Sequence, residues 1–345
     1  MTSIKEYLKR CVDEGAFPGA AWVIGRVDSV LEQGSVGFLG KGLATVTAHT
    51  LYDIASLTKV FTALAIMKQL EDGLLRLEDE LAYFLPDFKN SPLGKTTIFA
   101  LMTHTAPINK GNGLHRYAKT KEELLQAIAE LPLRSDSPDK VAYTCESFIL
   151  LGEIASVLDN APLDVVIQNR VLHALEMKET RFNPPVSLLD RIAPTEDCPV
   201  RGKLIHGTVH DEKSSIMGGV SGNAGLFSTS GDMAILAAAM LRTLASGDFL
   251  SKASAALMVR NHTAGKGENR GLGWIVAGPD SPSGDLMSSV SFGHTGFTGG
   301  SIWIDPERDL YAVLLANRIY PDRENPLIFR TRHIFHNLAV AAYST

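Results

Sequence analysis

The sequence predicts a mixed fold in which an α/β domain, built on an antiparallel sheet flanked by terminal helices, carries an inserted all-α domain. Short apolar runs with glycine punctuation, typical of hairpin strands, lie near the N-terminus. Helical patterns dominate the middle of the chain, and strand patterns return after Gly271. We therefore expect residues 1–55 and 266–345 to form the α/β domain and residues 56–265 the mainly helical domain, with a cleft between them.

Each predicted element follows from a local pattern. Residues 2–15 read as a helix, and the runs 19–25 and 35–40 as the strands of a hairpin. From Leu57 onward, apolar residues recur at spacings of three and four, which predicts a long helix with one apolar face. Further helices are predicted over 121–131, 148–158, 232–245 and 325–342, and further strands over 271–276, 288–293, 301–305 and 310–317.

Composition excludes several classes of function. The chain has 33 Lys plus Arg against 38 Asp plus Glu, without the basic excess that binding to a phosphate backbone requires, so no nucleic-acid partner is expected. Its apolar stretches stop at roughly ten residues where a bilayer span needs about twenty, so no membrane partner is expected either. The N-terminus lacks the pattern of a secretion signal, which predicts a cytoplasmic location unless a leader was removed. The three cysteines form no Cys-x-x-Cys pair, and we expect neither a metal nor another cofactor.

The sharpest local signal for chemistry is Ser56-Leu-Thr-Lys59 at the start of the long predicted helix. Residues three apart on a helix share a face, so Lys59 can reach the Ser56 hydroxyl. The helix N-terminus also favours negative charge that develops on that oxygen. An activated nucleophile needs this arrangement. The alternative interpretation is a helix N-cap at Ser56 and a solvated Lys59.

A second Ser-x-x-Lys occurs at Ser137-Pro-Asp-Lys140. Proline and aspartate at its centre predict a turn. In a turn the same spacing does not place the two side chains on a common helical face. We therefore expect no catalytic role for Ser137 and Lys140.

Two further motifs follow Ser56 along the chain. Tyr143-Thr-Cys145 begins 87 residues after it, and His294-Thr-Gly296 begins 238 residues after it. With the segments Leu101-Met-Thr-His-Thr and Ala224-Gly-Leu-Phe-Ser-Thr, this order resembles the serine β-lactamase and penicillin-binding-protein superfamily. It is most similar to the branch of class C β-lactamases, family VIII carboxylesterases and related peptidases and amidases. The resemblance covers nearly the whole chain and implies a β-lactamase/transpeptidase-like fold.

The resemblance also implies roles for individual residues. Ser56 is expected to be the nucleophile, Lys59 its partner, and Tyr143 the second acid/base group. The strand His294-Thr295-Gly296 is expected to line the site, with the backbone N–H groups of Ser56 and Phe297 forming an oxyanion hole. Tyrosine and lysine both titrate near 10, so the identity of the base stays open. The alternative interpretation of Tyr143 is a packed aromatic side chain at a helix start.

Two departures from the usual motifs bear on the substrate. The second motif usually ends in Asn or Asp, whereas Cys145 offers only a weak thiol donor, which disfavours recognition of an acylamide side chain. In penicillin-recognising members the third motif usually starts with Lys, whereas His294 is largely neutral at pH 7. The expected site therefore lacks a fixed positive charge for a substrate carboxylate. We expect a small ester or a muropeptide-like amide as substrate, ahead of a β-lactam.

The segment around His210-Asp211 is similar to one in penicillin-binding-protein-like and muramyl-amidase-like members of the superfamily, which favours cell-wall-fragment chemistry. Both residues are candidate loop or substrate contacts. Adjacent residues point apart and no His-Glu-x-x-His pairing exists, so metal binding is not expected here.

The sequence as a whole predicts a serine hydrolase that forms an acyl-enzyme through Ser56 and releases the acyl group to water. Three alternatives stay open at this point. Cys145 motivates a catalytically impaired, penicillin-binding-protein-like binding or sensor protein. The other two are a true β-lactamase and a transferase that passes the acyl group to an alcohol or amine.

Overall fold

The computed structural model describes residues 2–278 and 281–344. Its helices are α1 Ile4–Asp13, α2 Thr58–Glu71, α3 Leu81–Phe84, α4 Ile98–Met102, α5 Lys121–Ala129, α6 Cys145–Asp159, α7 Leu163–Ile167, α8 Glu212–Ile216, α9 Ser230–Ser246, α10 Lys252–Val259 and α11 Leu327–Tyr343. Its strands are β1 Gly19–Arg26, β2 Ser29–Gly37, β3 Tyr52–Asp53, β4 Arg181–Phe182, β5 Asp197–Cys198, β6 Lys203–Leu204, β7 Leu226–Ser228, β8 Ile275–Val276, β9 Phe292–Thr295, β10 Ser301–Asp305 and β11 Leu310–Ala316.

The main sheet joins the two ends of the chain. Its six strands are antiparallel in the order β2-β1-β11-β10-β9-β8, so the N-terminal hairpin pairs with the last strand. The predicted strands at both ends of the chain are thus present in one sheet. There are two small sheets, β3-β7-β4 and β5-β6. All of their strands except β3 lie within 56–265, where the sequence predicted mainly helices.

The central strands bury both of their faces. Along β1, Ala20, Trp22 and Ile24 pack with helices α1 and α11 on one side of the sheet. The alternating residues Ala21 and Val23 belong to the core on the other side, which includes α2 and α9. The period of two in a strand explains this division, because successive side chains point to opposite faces. The sheet is therefore the middle layer between terminal and internal helices.

Helix α2 differs from its predicted amphipathic form. The sequence predicted one apolar face, but the helix is buried on every side from Thr58 to Met67. Its small residues Ala63 and Ala65 lie in the same core as the larger ones. A helix surrounded by protein on all sides is apolar all round. A charged residue such as Lys59 within it is therefore held away from water.

Two predicted strands are shorter than expected. The run 271–276 forms a strand only at Ile275–Val276, because Gly273 adopts a φ of +81° and the chain turns before it. The run 288–293 begins as a strand only at Phe292. Helix α9, which lies within the predicted helical domain, contacts β1, β10 and β11 of the main sheet. The domain division at residues 56 and 265 stays a prediction.

Candidate active site

Ser56 lies on a sharp connection between β3 and α2. A single 3₁₀ turn, Ala55–Leu57, makes this connection, and Ala55 has a φ of +47°. The Asp53 carboxylate accepts the Ala55 N–H at 2.8 Å and stabilises the turn. Residues 51–60 are otherwise buried, whereas Ser56 is partly accessible. The fold thus presents one hydroxyl at the start of a buried helix.

The structure brings the three residues of the predicted catalytic group together. Lys59 Nζ donates to Ser56 Oγ at 3.1 Å, and a hydrogen bond of 2.7 Å joins Tyr143 Oη to the same oxygen. Lys59 Nζ also donates to the Asn223 carbonyl at 2.9 Å and lies 3.9 Å from Cys145 Sγ. The Ser56 oxygen therefore has two hydrogen-bonding neighbours from different elements.

The environment of Lys59 favours its charged form. Burial alone would lower the pKa of the ammonium, but the Cys145 and Tyr143 side chains outweigh burial and raise it above its ordinary value. Lys59 therefore carries its proton at neutral pH. Burial is also the main influence on Cys145, and it raises the pKa of that thiol.

Tyr143 is positioned by His104, for which the sequence predicted no individual role. The His104 ring lies 4.6 Å from the Tyr143 ring, measured between centroids. The His104 carbonyl accepts the Ala142 N–H at 2.9 Å, and His104 Nδ1 accepts the Thr144 N–H at 3.4 Å. The residues on both sides of Tyr143 are thus bonded to His104. Only the Leu101–Thr105 segment signalled this contact in the sequence.

The end of β9 lies directly against the segment that precedes Ser56. A Cβ atom at Gly296 would come within 2.5 Å of the Ile54 carbonyl oxygen, so only glycine allows this approach. Thr298 Oγ1 donates to the Asp53 carbonyl at 2.6 Å. These contacts fix the turn that carries Phe297 beside Ser56.

His294 is buried and uncharged. Its Nδ1 lies 2.9 Å from the Thr295 carbonyl oxygen, and its Nε2 has no hydrogen-bond partner among the described residues. Burial, followed by the positive charges of Arg270 and Lys59, places the pKa of His294 well below its usual value. Position 294 therefore carries no fixed charge, in agreement with the prediction for a histidine there.

A cavity of about 520 Å³ opens above Ser56. The predicted residues Ser56, Tyr143, Phe297 and the strand 294–296 line it. Its wall also contains residues that the sequence analysis did not find, namely Asn269, Arg270, Arg318, Phe329 and Arg332. The expectation that the site lacks fixed positive charge is therefore wrong for the cavity as a whole. The charge comes from residues distant in sequence from the three motifs, so no local pattern pointed to it.

His210 and Asp211 are not among the residues that line this cavity. His210 stacks on Phe297 with ring centroids 5.8 Å apart, and its Nε2 lies 2.9 Å from Glu196 Oε2. Asp211 caps helix α8 by accepting the Ser214 N–H at 2.8 Å. Within residues 2–278 and 281–344, no group of three His, Cys, Asp or Glu side chains could hold a metal ion. In the same ranges, no helix combines the length and apolar character that a bilayer crossing requires.

Solved structures share this architecture. A class C β-lactamase from Rhodobacter sphaeroides superposes with a TM-score of 0.76 over 99% of both chains, at 20% identity. EstCE1, described as a hydrolase with promiscuous acyltransferase activity, superposes with a TM-score of 0.75 over 95% of this chain and 97% of its own, at 22% identity. At these identities the likeness shows the fold, and it confirms the predicted β-lactamase/transpeptidase-like fold.

The chain belongs to the beta-lactamase family, which matches residues 4–334. An Escherichia coli K12 protein named "Putative D-alanyl-D-alanine carboxypeptidase" is 32% identical over 320 residues, which cover 83% of this chain and 74% of that protein. These matches confirm the family that the three motifs indicated. Because the family is one of hydrolases, its membership favours an enzyme over the binding or sensor protein.

Proposed function

We propose that the protein cleaves a small ester or amide through an acyl-enzyme on Ser56. One observation carries the proposal: Ser56 Oγ lies at the cavity wall with Lys59 Nζ at 3.1 Å and Tyr143 Oη at 2.7 Å. A serine hydroxyl is a weak nucleophile unless a neighbouring group removes its proton as it attacks. Both candidate groups are in hydrogen-bond reach.

The protonation state of Lys59 leads us to assign different roles to Lys59 and Tyr143. Lys59 already carries its proton at neutral pH and is held by Ser56 and Asn223 as acceptors. We therefore assign the base to Tyr143, whose Oη lies 2.7 Å from Ser56 Oγ. Tyr143 takes the Ser56 proton as Oγ bonds to the substrate carbonyl carbon, and it returns that proton to the leaving alcohol or amine. Water then cleaves the acyl–Ser56 bond by the same proton route in reverse.

The tetrahedral intermediate needs donors for its negative oxygen. We assign the backbone N–H groups of Ser56 and Phe297 to this task, because the Gly296 turn is docked against Ile54 beside Ser56. Rigid donors that face the developing charge stabilise the transition state more than the substrate. Mutation of such a donor costs about 10²–10³ in rate.

The proposed substrate class is a simple ester or a peptidoglycan-derived amide. The relative named as a D-alanyl-D-alanine carboxypeptidase supports the amide, and the arginines in the cavity wall can donate hydrogen bonds to an anionic group on the substrate. Cys145 replaces the amide side chain that recognition of an acylamide would use, which places β-lactams behind both.

Intact-mass measurement after exposure to a fluorophosphonate probe tests the nucleophile. We expect one adduct on the native protein and none on Ser56→Ala, while Ser137→Ala, the matched change in the second Ser-x-x-Lys, is labelled like the native protein. An unmodified native chain, or an adduct that survives in Ser56→Ala, would refute the assignment.

A substrate panel tests the ranking of substrates. p-Nitrophenyl esters and a D-alanyl-D-alanine peptide should be hydrolysed with higher kcat/KM than a cephalosporin. Cephalosporin turnover comparable to that of the esters would reverse the ranking. Added alcohol acceptor should leave hydrolysis as the main product, whereas a majority of transfer product would favour the transferase.

A further inference from the structure

His210 and Asp211 are not among the residues that line the cavity, but the backbone between them is tied to the nucleophile turn. The His210 N–H donates to Asp53 Oδ2 at 2.7 Å. The other oxygen of the same carboxylate, Oδ1, accepts the Ala55 N–H at 2.8 Å in the turn that presents Ser56. The position of residue 210 is therefore fixed relative to the serine.

The side chain of Asp211 reaches the loop that holds Lys59. Asn223 Nδ2 donates to Asp211 Oδ1 at 3.2 Å, and the Asn223 carbonyl accepts from Lys59 Nζ at 2.9 Å. Asn223 is fully buried, and its side-chain oxygen accepts the hydroxyls of Ser214 and Ser221 at 3.1 and 2.7 Å. Turning a buried amide away from its partners is costly, because its polar atoms would then be unsatisfied. These partners therefore fix the orientation of Asn223.

Two adjacent residues thus connect the serine with the acceptor of its lysine. His210 is bonded to the nucleophile turn and Asp211 to Asn223. Covalent geometry limits the distance between neighbouring residues, so the two contacts are held at a fixed separation. Lys59 Nζ lies 3.1 Å from Ser56 Oγ, close to the upper end of ordinary N–H···O distances at about 3.2 Å. A small shift of the lysine acceptor would therefore weaken the contact with the serine.

We propose that Asp211 is a positioning residue: its carboxylate orients Asn223, whose carbonyl holds Lys59 on Ser56. This inference rests on the proposed function of Ser56 and Lys59. Because Asp211 is not among the residues that line the cavity, it affects the acylation of Ser56 without contacting the substrate. The same Asp211 oxygen also caps helix α8 by accepting the Ser214 N–H at 2.8 Å. Positioning and capping are therefore the two roles to separate.

Three substitutions at position 211 separate them. Asp211→Asn keeps an oxygen acceptor for both donors, Asp211→Ser keeps a helix cap whose hydroxyl is one bond closer to the backbone, and Asp211→Ala removes both. With p-nitrophenyl butyrate, a neutral ester, Asp211→Asn should retain about half or more of the native kcat/KM, since its acceptor is retained. Asp211→Ser and Asp211→Ala should each lose about 10–10²-fold, in kcat and not in KM. The urea midpoint should fall clearly only in Asp211→Ala.

A double-mutant cycle tests whether the effect passes through Lys59. The readout is the rate at which a fluorophosphonate probe labels Ser56, followed by intact mass. Asp211→Ala should slow labelling by about 10–10²-fold in the native background and by less than about twofold in Lys59→Ala, because the group that it positions is then absent. Thr120→Ala is the matched control. It removes the cap of helix α5, where the Thr120 hydroxyl accepts the Glu123 N–H at 3.2 Å, and should lower the urea midpoint without slowing labelling.

Three results would overturn the proposal. The first is equal kcat/KM in Asp211→Ser and Asp211→Asn, which would assign the effect to the cap if both are active and to the charge if both are impaired. The second is native kcat/KM in Asp211→Ala. The third is the same slowing by Asp211→Ala with and without Lys59.

Labelling of Ser56 in the native protein is scored first. Its absence would refute the proposed function, whereas labelling of Asp211→Ala at the native rate would refute only the role of Asp211. If Asp211→Ala does not fold by circular dichroism, Asp211→Ser takes its place in the cycle and in the comparison with Asp211→Asn.

Discussion

The chain contains two Ser-x-x-Lys sequences, and the serine and the lysine are in contact only in the first of them. At the first, Lys59 is buried within the start of α2 and its ammonium donates to Ser56 Oγ at 3.1 Å. At the second, Ser137 donates instead to the Thr105 carbonyl at 2.7 Å, and Lys140 is exposed. The serine and the lysine are three residues apart in both. Only at the first sequence do the helical backbone and burial bring the lysine ammonium into contact with the serine hydroxyl.

The comparison also shows what a buried lysine needs. Lys59 has two oxygen acceptors, Ser56 Oγ and the Asn223 carbonyl, and its Nζ lies 3.9 Å from Cys145 Sγ. Burying an unpaired charge is costly, so these acceptors decide whether the ammonium can stay inside the protein. The second lysine is hydrated and has no such requirement. The proposed catalytic lysine thus differs from Lys140 in its buried acceptors, although both lysines have the same spacing from a serine.

The largest expected effect is the loss of Lys59. Lys59→Ala should lower kcat/KM for an ester by roughly 10²–10⁴-fold, because the Ser56 oxygen loses a charged donor. Lys140→Ala should leave kcat/KM unchanged. Steady-state kinetics on folded protein check both. Similar losses of kcat/KM in Lys59→Ala and Lys140→Ala would contradict the different roles inferred for the two Ser-x-x-Lys sequences.

A smaller effect is expected from the loop that holds Lys59. Gly222 precedes Asn223, and a Cβ there would come within 2.1 Å of the Phe148 carbonyl oxygen in α6. Gly222→Ala should therefore displace the loop, lower the free energy of unfolding by about 1–3 kcal/mol and reduce ester hydrolysis.

Gly231→Ala is the matched control for this change. Gly231 lies in α9, where the nearest atom to an added Cβ would be 3.8 Å away. We expect a stabilisation of up to about 1 kcal/mol and unchanged activity. Urea denaturation and ester kinetics measure the pair. Equal stability of Gly222→Ala and the native protein would contradict the role of the close contact.

The smallest effect concerns the thiol beside Lys59. Burial raises the pKa of Cys145, so its reactive thiolate is scarce at pH 7 despite the neighbouring ammonium. Alkylation by iodoacetamide should be slow at pH 7 and should accelerate at a higher pH than for an ordinary cysteine. Mass spectrometry with Cys145→Ser as control measures the rates. Fast alkylation of Cys145 at pH 7 would show that Lys59 activates the thiol.

The sequence predicted much of the sheet and the order of the three motifs. The runs 301–305 and 310–317 are strands within one residue, because short apolar runs bounded by turn residues mark strands that are buried on both faces. The burial of helix α2 was harder to predict, since a helix buried on all sides has no polar face to define its orientation. The turn before β8 was missed because a positive φ at Gly273 is not encoded by apolar periodicity.

The sequence by itself was enough to propose the members of the catalytic group: Ser56, Lys59 and Tyr143 follow from spacing, helix position and family resemblance. Only the tertiary structure decided what surrounds them. It brought the Asn223 carbonyl to Lys59, His104 and Arg270 to the Tyr143 ring, and three arginines to the cavity wall. The reason is physical. Local spacing fixes neighbours on one helix, whereas electrostatic partners from distant segments depend on how the whole chain packs.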